Sequence, residues 1–282
     1  MERGIKRWVV NISQWNPTQY EFSFILSILP LHEHSSITRY VKFEDRKRAI
    51  VSRLLQYALV HEVFKVPFDE IRIKRTIEGK PYLETDGENM EFPNFNFNVS
   101  HHGDYVAIAS EPQSNVGIDM VSLVIPKRET ALKFIKNFSS YLTTFEWDNI
   151  VNAGTCSEIL EEFYRYWCVK EAFVKATGDG LGFKLDRLEF HHTNWTNIFV
   201  KIDGEISREW TFLISELPKS HWSWKLQVCV AKGHPKSDIK NNTKTLQLTE
   251  LLGEQENPSS MPHPSFVLLS VEELLPVSFR VS

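Results

Sequence analysis

The pattern of apolar and polar positions starts with a period of two and then lengthens. Trp8-Val9-Val10-Asn11-Ile12 reads as a first strand, rich in the branched and aromatic residues that suit a pleated surface. Asp45 can cap a helix in which Val51, Leu54, Leu55, Ala58 and Leu59 recur at helical spacing as far as Phe64, before Pro67 ends the run. Ile71-Arg72-Ile73-Lys74-Arg75 alternates as a half-buried strand, Gly79-Lys80-Pro81 turns the chain, and a short extended piece follows. Phe95-Asn96-Phe97-Asn98-Val99 alternates again, and residues 105–109 form an apolar run of the buried-strand type. A second unit repeats this order. Helical periodicity over about 161–177 stops at Gly178, and strand patterns follow at 185–190, 198–202, 210–214 and 226–231. A weak match between residues 100–109 and 220–231 supports two related α+β lobes, 1–113 and 114–235, joined near 112–116. From about Lys236 the chain turns polar, so 236–282 is expected to be a linker and tail. Apolar residues return over 266–279, a stretch expected to pack back as a strand or short helix.

Composition narrows the class. With 282 residues, 42% of them hydrophobic and 24% charged, the chain has ample material for a globular core. Lys and Arg number 32 against 36 Asp and Glu, and the resulting net charge of −4 argues against general nucleic-acid binding. A local basic pocket for a small phosphorylated ligand remains compatible with that balance. No apolar run approaches the ~18–20 residues that span a bilayer, and residues 1–7 lack the apolar core of a signal peptide. Cys156, Cys168 and Cys229 are odd in number and widely spaced, which fits a reducing compartment better than a disulfide framework or structural zinc. A cytosolic protein without membrane or nucleic-acid partners is expected.

Four segments carry candidate chemistry. On the helix at 161–177, Tyr164, Trp167, Cys168, Glu171 and Lys175 share one face, with Tyr166, Val169, Phe173 and Ala176 opposite. Two faces of that kind leave little room for a solvated stripe, so Glu171 and Lys175 are expected to face a cleft, although an exposed i,i+4 ion pair has the same spacing. The glycine-dense turn Gly178-Asp179-Gly180-Leu181-Gly182 allows close approach of backbone to another element or a ligand. Asn115-Val116-Gly117-Ile118-Asp119 reads as an apolar strand with an aspartate at its end, either a turn or cap residue or a hard oxygen ligand for Mg²⁺. Arg75, Gly79 and Lys80 put two cations around a tight turn, suited to a phosphate or to a solvated hairpin. Asn98-Val99-Ser100-His101-His102 ends a strand with hydroxyl, imidazole and backbone donors together. No Walker loop, no G-x-G-x-x-G after a strand and no G-x-S-x-G elbow occurs.

Taken together, residues 75–81, Phe95-Asn96-Phe97-Asn98-Val99-Ser100-His101, Val116-Gly117-Ile118-Asp119 and Trp167-Cys168-Val169-Lys170-Glu171-Ala172-Phe173-Val174-Lys175-Ala176-Thr177-Gly178 resemble the 4'-phosphopantetheinyl transferase superfamily, of the surfactin-synthetase-activator type. Order and spacing match over roughly 1–232, and the last segment is the specific one. The resemblance implies an α+β fold of two pseudo-symmetric lobes in one chain, with coenzyme A and Mg²⁺ in the cleft. It further implies transfer of the 4'-phosphopantetheine arm to a serine of an apo acyl- or peptidyl-carrier protein, with release of adenosine 3',5'-bisphosphate. Carried onto this sequence, Asp119 and Glu171 would hold Mg²⁺, Glu171 would take the serine proton directly or through a metal-bound water, and Lys175 would offset phosphate charge. Arg75, Gly79 and Lys80 would meet the 3'-phosphate and adenine side, with Asn98, Ser100 and His101 meeting the nucleotide from the first lobe. Arg39 is the nearest match to the family's N-terminal arginine. Many members carry a second acid two residues after the strand aspartate, and here that position is Val121.

Two other classes have counter-indications. A Mg²⁺-dependent nuclease usually carries Glu-x-Lys on a strand, whereas Glu171 and Lys175 are four apart on a helix. A non-catalytic module that binds coenzyme A or a carrier protein would lose the metal pair, yet both acids are present. Docking of an acidic carrier is expected near 127–138 and 145–147, where a lid helix is the alternative, and a monomer is the simpler expectation.

Overall fold

A computed structural model describes residues 2–84, 91–123, 129–217, 226–234 and 265–279. The first lobe opens with strand β1 (Lys6–Asn11), then helices α1 (Gln19–Ile28), α2 (Leu31–Thr38) and α3 (Phe43–Phe64). The apolar stripe seen in the sequence is the buried face of α3, and Lys65 ends the helix in a left-handed turn. The helix begins earlier than Asp45: Lys42 is the cap residue, and Asp45 sits in the first turn, where its charge suits the helix dipole. A short hairpin follows, β2 (Ile73–Arg75) and β3 (Pro81–Leu83), and then β4 (Asn96–His102) and β5 (Tyr105–Glu111).

The second lobe takes the same path. It opens with β6 (Asn115–Ser122), passes through α4 (Ala131–Lys136), α5 (Thr144–Val151) and α6 (Cys156–Thr177), and makes a small antiparallel sheet of β7 (Leu188–Thr193), β8 (Thr196–Ile202) and β9 (Glu205–Ser207). It closes with β10 (Trp210–Glu216) and β11 (Leu226–Gly233). In each lobe the last strand is central, with strand orders β1-β5-β4 and β6-β11-β10. Each lobe also carries one 22-residue helix on the outer face of its sheet. This is an α+β fold. The stretch 266–279 does pack back: β12 (Val267–Leu269) pairs parallel with β1, and Val271, Leu274 and Leu275 enter the first core.

Between the helices the two sheets face each other. Val9, Ala107 and Ala109 of the first meet Val116, Ile118, Met120, Val228 and Val230 of the second. The strand alternation explains this layering, because Val10, Val106 and Ile108 point to α3 while Cys229 and Ala231 point to α6. At one side the edge strands β4 and β6 come together through side chains: Val116 N donates to Asn96 Oδ1 at 3.0 Å, and Ile118 N to Asn98 Oδ1 at 3.1 Å.

Helix α6 is held at both ends and in the middle. Thr155 and Glu158 form a capping box at its start, and Gly178, at φ 81°, ends it by donating to Val174 O. Midway, Lys170 lies beneath the surface and donates to Glu146 Oε2 at 2.7 Å, Leu185 O at 2.8 Å and Leu188 O at 2.6 Å. Glu146 also accepts from Phe190 N and Thr143 N, both at 3.0 Å. Burial pushes the Lys170 ammonium down and the Glu146 carboxyl up, so the pair persists only because every donor is used. Lys170→Met, which leaves Glu146 buried and unpaired, is expected to lower the unfolding free energy by about 3–5 kcal/mol in urea titrations. A loss below about 1 kcal/mol would show that the pair does not secure α6.

Candidate active site

The site begins with a glycine. A Cβ built on Gly117 would lie 2.0 Å from Ala172 O and 2.3 Å from Ala176 N, so β6 and α6 touch backbone to backbone. Only glycine permits that approach, and Ala172 and Ala176 match it with the smallest side chains on the facing turns. Two residues on, Asp119 shares the α6-facing side of β6 and lies opposite Cys229 of β11. Here the sequence reading needs correction: Asp119 is inside the strand, which continues to Ser122, and so it is fixed by ladders rather than by a turn.

Around Asp119 three side chains converge. Lys175 Nζ donates to its Oδ1 at 2.5 Å and to Ser100 Oγ at 3.1 Å, and the Ser100 hydroxyl lies 3.4 Å from the same Oδ1. Glu171, one turn before Lys175, is pushed above the usual carboxylate range by burial and by the charge of Asp119, with Lys175 opposing. Burial, reinforced by Arg48 and Lys175, pushes His101 below the usual imidazole range, and His102 moves the same way for want of solvent.

Two clefts meet at this point. The larger, about 530 Å³, runs between the lobes and is lined by Arg53, Arg75, Gly79, Lys80, Asn98 and His101 on one side, with Trp167, Glu171, Lys175 and the Gly178–Phe183 turn on the other. The smaller, about 390 Å³, is walled by Ser100, His102, Asp119, Met120 and Val121, and shares Val99, His101, Trp167, Glu171 and Lys175 with the first. Cations therefore gather in one chamber and the two carboxylates stand at its junction with the other. In the larger chamber Lys80 Nζ donates to Ala176 O at 2.5 Å, and burial pushes its ammonium down to about 7, with Asp179 opposing.

Comparison with known proteins shows the family of the chain. Residues 13–113 match the model of the 4'-phosphopantetheinyl transferase N-terminal domain, and residues 115–229 match the 4'-phosphopantetheinyl transferase superfamily. An L-aminoadipate-semialdehyde dehydrogenase-phosphopantetheinyl transferase of Mus musculus is 32% identical over 95% of this chain and 84% of its own length. The Homo sapiens protein of that name is 36% identical over 77% of this chain and 72% of its own. A phosphopantetheinyl transferase of a Thraustochytrium species is 32% identical over 77% of this chain and 76% of its own. The chain belongs to the 4'-phosphopantetheinyl transferase superfamily.

Of the residues singled out from this transferase family's motifs, the structure gathers most. Arg75, Gly79, Lys80, Asn98, His101, Glu171 and Lys175 line the larger cleft, and Ser100 and Asp119 line the smaller. Arg39 does not line either. It caps α2, lies 5.2 Å over the Tyr40 ring, and reaches the cleft only through its charge, which helps to lower the Arg75 pKa after burial and Arg53. Sequence reasoning missed Ser52, Arg53 and Gln56, which form the α3 wall of the larger cleft. In the sequence they are ordinary polar residues flanking the apolar stripe of α3, so nothing local marks them. Arg53 is aimed by a buried glutamate, its Nε donating to Glu33 Oε2 at 2.7 Å.

The acid pair fits a hard divalent cation. Mg²⁺ is commonly held by one or two carboxylates with substrate phosphates and waters, and the mutual repulsion that raises Glu171 is what such an ion relieves. Among the described residues no third His, Cys, Asp or Glu joins them. Val121, on the same side of β6 as Asp119, is packed into the second core. Because Gly117 sets the distance from β6 to α6, Gly117→Ala should cost about 3 kcal/mol or more of stability, measured by denaturant unfolding. An unchanged midpoint would show that the contact can relax.

Proposed function

We propose that the chain is a Mg²⁺-dependent 4'-phosphopantetheinyl transferase whose co-substrate is coenzyme A and whose acceptor is the serine of an apo acyl- or peptidyl-carrier protein. The observation that carries this reading is the meeting of Asp119, Glu171 and Lys175 where a cation-lined chamber opens into a smaller one. The nucleotide of coenzyme A fits the larger chamber, with Arg75, Gly79 and Lys80 toward its 3'-phosphate and adenine, and His101 with Arg53 on the first-lobe wall. The pyrophosphate then lies against Lys175, and the pantetheine arm extends into the smaller chamber.

Asp119 and Glu171 would hold Mg²⁺, which when bound supplies positive charge to the pyrophosphate oxygens. Glu171, directly or through a bound water, takes the proton from the serine hydroxyl, which its place beside the acceptor's approach allows. The serine oxygen forms a bond to the phosphorus that carries pantetheine, and the bond from that phosphorus to the bridging oxygen breaks. Adenosine 3',5'-bisphosphate leaves with the electron pair, and Lys175 offsets the charge on the departing oxygen. Residues 1–113 and 114–235 are the two lobes that must stay aligned for this step. The carrier enters from the smaller chamber and docks on α4 and α5, which expose Leu132, Lys133, Lys136 and Phe145, while Phe134 and Phe138 pack down on α6. Lys127, part of the expected docking stretch, lies outside the described residues. One chain completes the site, so a monomer suffices. The unpaired cysteines suit the cytosol, and no described helix is long and apolar enough to cross a membrane.

Intact-mass spectrometry of an apo carrier protein incubated with this protein, coenzyme A and Mg²⁺ should show a gain of one phosphopantetheine. Asp119→Ala and Glu171→Ala should each slow that gain by about 100-fold or more while keeping the fold. Unmodified carriers despite tight coenzyme A binding would instead indicate a binding module.

Coenzyme A affinity should also depend on pH through Lys80. A phosphate beside Lys80 favours its charged form, so binding raises a pKa that stands at about 7 in the free protein. Protons are then taken up on binding above pH 7, and affinity falls as pH rises, approaching ~10-fold per unit. Calorimetry at pH 8 in buffers of different protonation enthalpy measures this uptake directly. Zero uptake would remove Lys80 from the phosphate site.

A further inference from the structure

Among the described residues, strand β6 has a sheet partner on only one side. It pairs with β11, and its other edge faces β4, itself the edge of the first sheet. An ordinary ladder across that gap would bring the strands to about 4.8 Å and fuse the two sheets. Instead two asparagine side chains are interposed. Asn96 and Asn98, alternate residues of β4, accept from Val116 N and Ile118 N, alternate residues of β6. The next alternate residue of β4 is Ser100, whose hydroxyl faces Asp119 Oδ1 and accepts from Lys175 Nζ. The side-chain ladder thus runs straight into the carboxylate and lysine of the site.

We propose that Asn98, assisted by Asn96, is a positioning residue that fixes the register of the first lobe on the second. This rests on the Asp119–Glu171–Lys175 site described above. By its position in the cleft wall Asn98 resembles a coenzyme contact, but its Oδ1 is committed to Ile118 N–H and the residue is only 5% exposed. Its spacing role explains why the larger cleft stays open. A carboxamide is longer than a backbone hydrogen bond alone, so it holds the edges apart while still satisfying two buried N–H groups. A slip of β4 along β6 would carry Ser100 and His101 away from Asp119 and Lys175, and displacements near 1 Å cost about 100-fold in rate.

The test compares two variants of the full chain. Asn98→Ser has a hydroxyl too short to reach Ile118 N, whereas Asn98→Asp keeps an acceptor oxygen in place. In wild-type protein the Ile118 amide should be protected from deuterium exchange. In Asn98→Ser it should exchange at least ~10-fold faster, kcat for carrier modification should fall about 100-fold, and the dissociation constant for coenzyme A should stay within about threefold. Asn98→Asp should retain the protection of the Ile118 amide, whatever its added charge does to turnover. A rise in the coenzyme A dissociation constant with kcat maintained would make Asn98 a ligand contact and overturn the proposal. So would full activity in Asn98→Ser, an unprotected Ile118 amide in wild type, or loss of the whole fold in Asn98→Ser. If wild-type protein modifies no carrier, the catalytic reading fails by itself, while the exchange data still decide whether Asn98 holds the two edges together.

Discussion

Strand β6 can approach α6 only because residue 117 has no side chain, and the geometry of the site follows from that contact. The strand is committed on three sides: to α6 through Gly117, to β11 through a full antiparallel ladder, and to β4 through two carboxamides. Asp119 is therefore held against α6 at a depth where Glu171 and Lys175, one turn apart, can both reach its surroundings. Lys170 secures the opposite side of the same helix with three donors into α5 and the loop before β7. Consecutive residues thus have opposite tasks. Lys170 is fully satisfied in the interior, and Glu171 is left with a proton affinity raised by incomplete compensation.

That contrast extends to the charges of the cleft. A chain with net charge −4 nonetheless assembles Arg53, Arg75, Lys80 and Lys175 around one chamber. Their counter-charges are few and local. Glu33 aims Arg53, and Asp179 partly offsets the burial of Lys80. The mutual repulsion of arginines helps to hold Arg75 below its ordinary range. A polyphosphate relieves all of these strains together, whereas a cation relieves only the two acids. The division of charge between the chambers would therefore orient a ligand that has phosphates at one end and a neutral arm at the other.

Much of this was legible in the sequence wherever periodicity is a local property. The stripe of α3, the stop at Gly178 and the paired faces of α6 read correctly because burial of a helix repeats every turn. The stretches holding α1, α2, α4 and α5 carry weaker apolar stripes, so the sequence offers no more than a lid helix near 127–138 and 145–147, and capping boxes such as Thr143–Glu146 do not stand out from it. Glu171 and Lys175 could be placed on a cleft because both remaining faces of their helix were apolar. What could not be read was distance between lobes. Nothing in the spacing of Asn98 and Ile118 announces a hydrogen bond, and Arg53 becomes visible only once α3 and the Gly79 turn share a wall. Arg39 shows the converse, since a matching position in the motif order still leaves it outside both chambers.

Val121 links the chemistry back to the packing. Two residues beyond Asp119 on the same side of β6, it occupies the place where related sequences often carry another acid, and here it belongs to the apolar core beneath α6. An acid at that point would have to be desolvated beside Asp119 and Glu171, and their repulsion already raises Glu171. With valine there, the local charge is two carboxylates against one lysine, and Lys175 can sit at 2.5 Å from Asp119 without a third acid competing for it. A cation held by two carboxylates must draw its remaining ligands from substrate and water, so on the proposed reading it would bind most firmly with the pyrophosphate already in the larger chamber. If Asp119 and Glu171 hold Mg²⁺ as proposed, valine at 121 would couple occupancy of the metal position to occupancy of the nucleotide position, through the count of charges on one face of one strand.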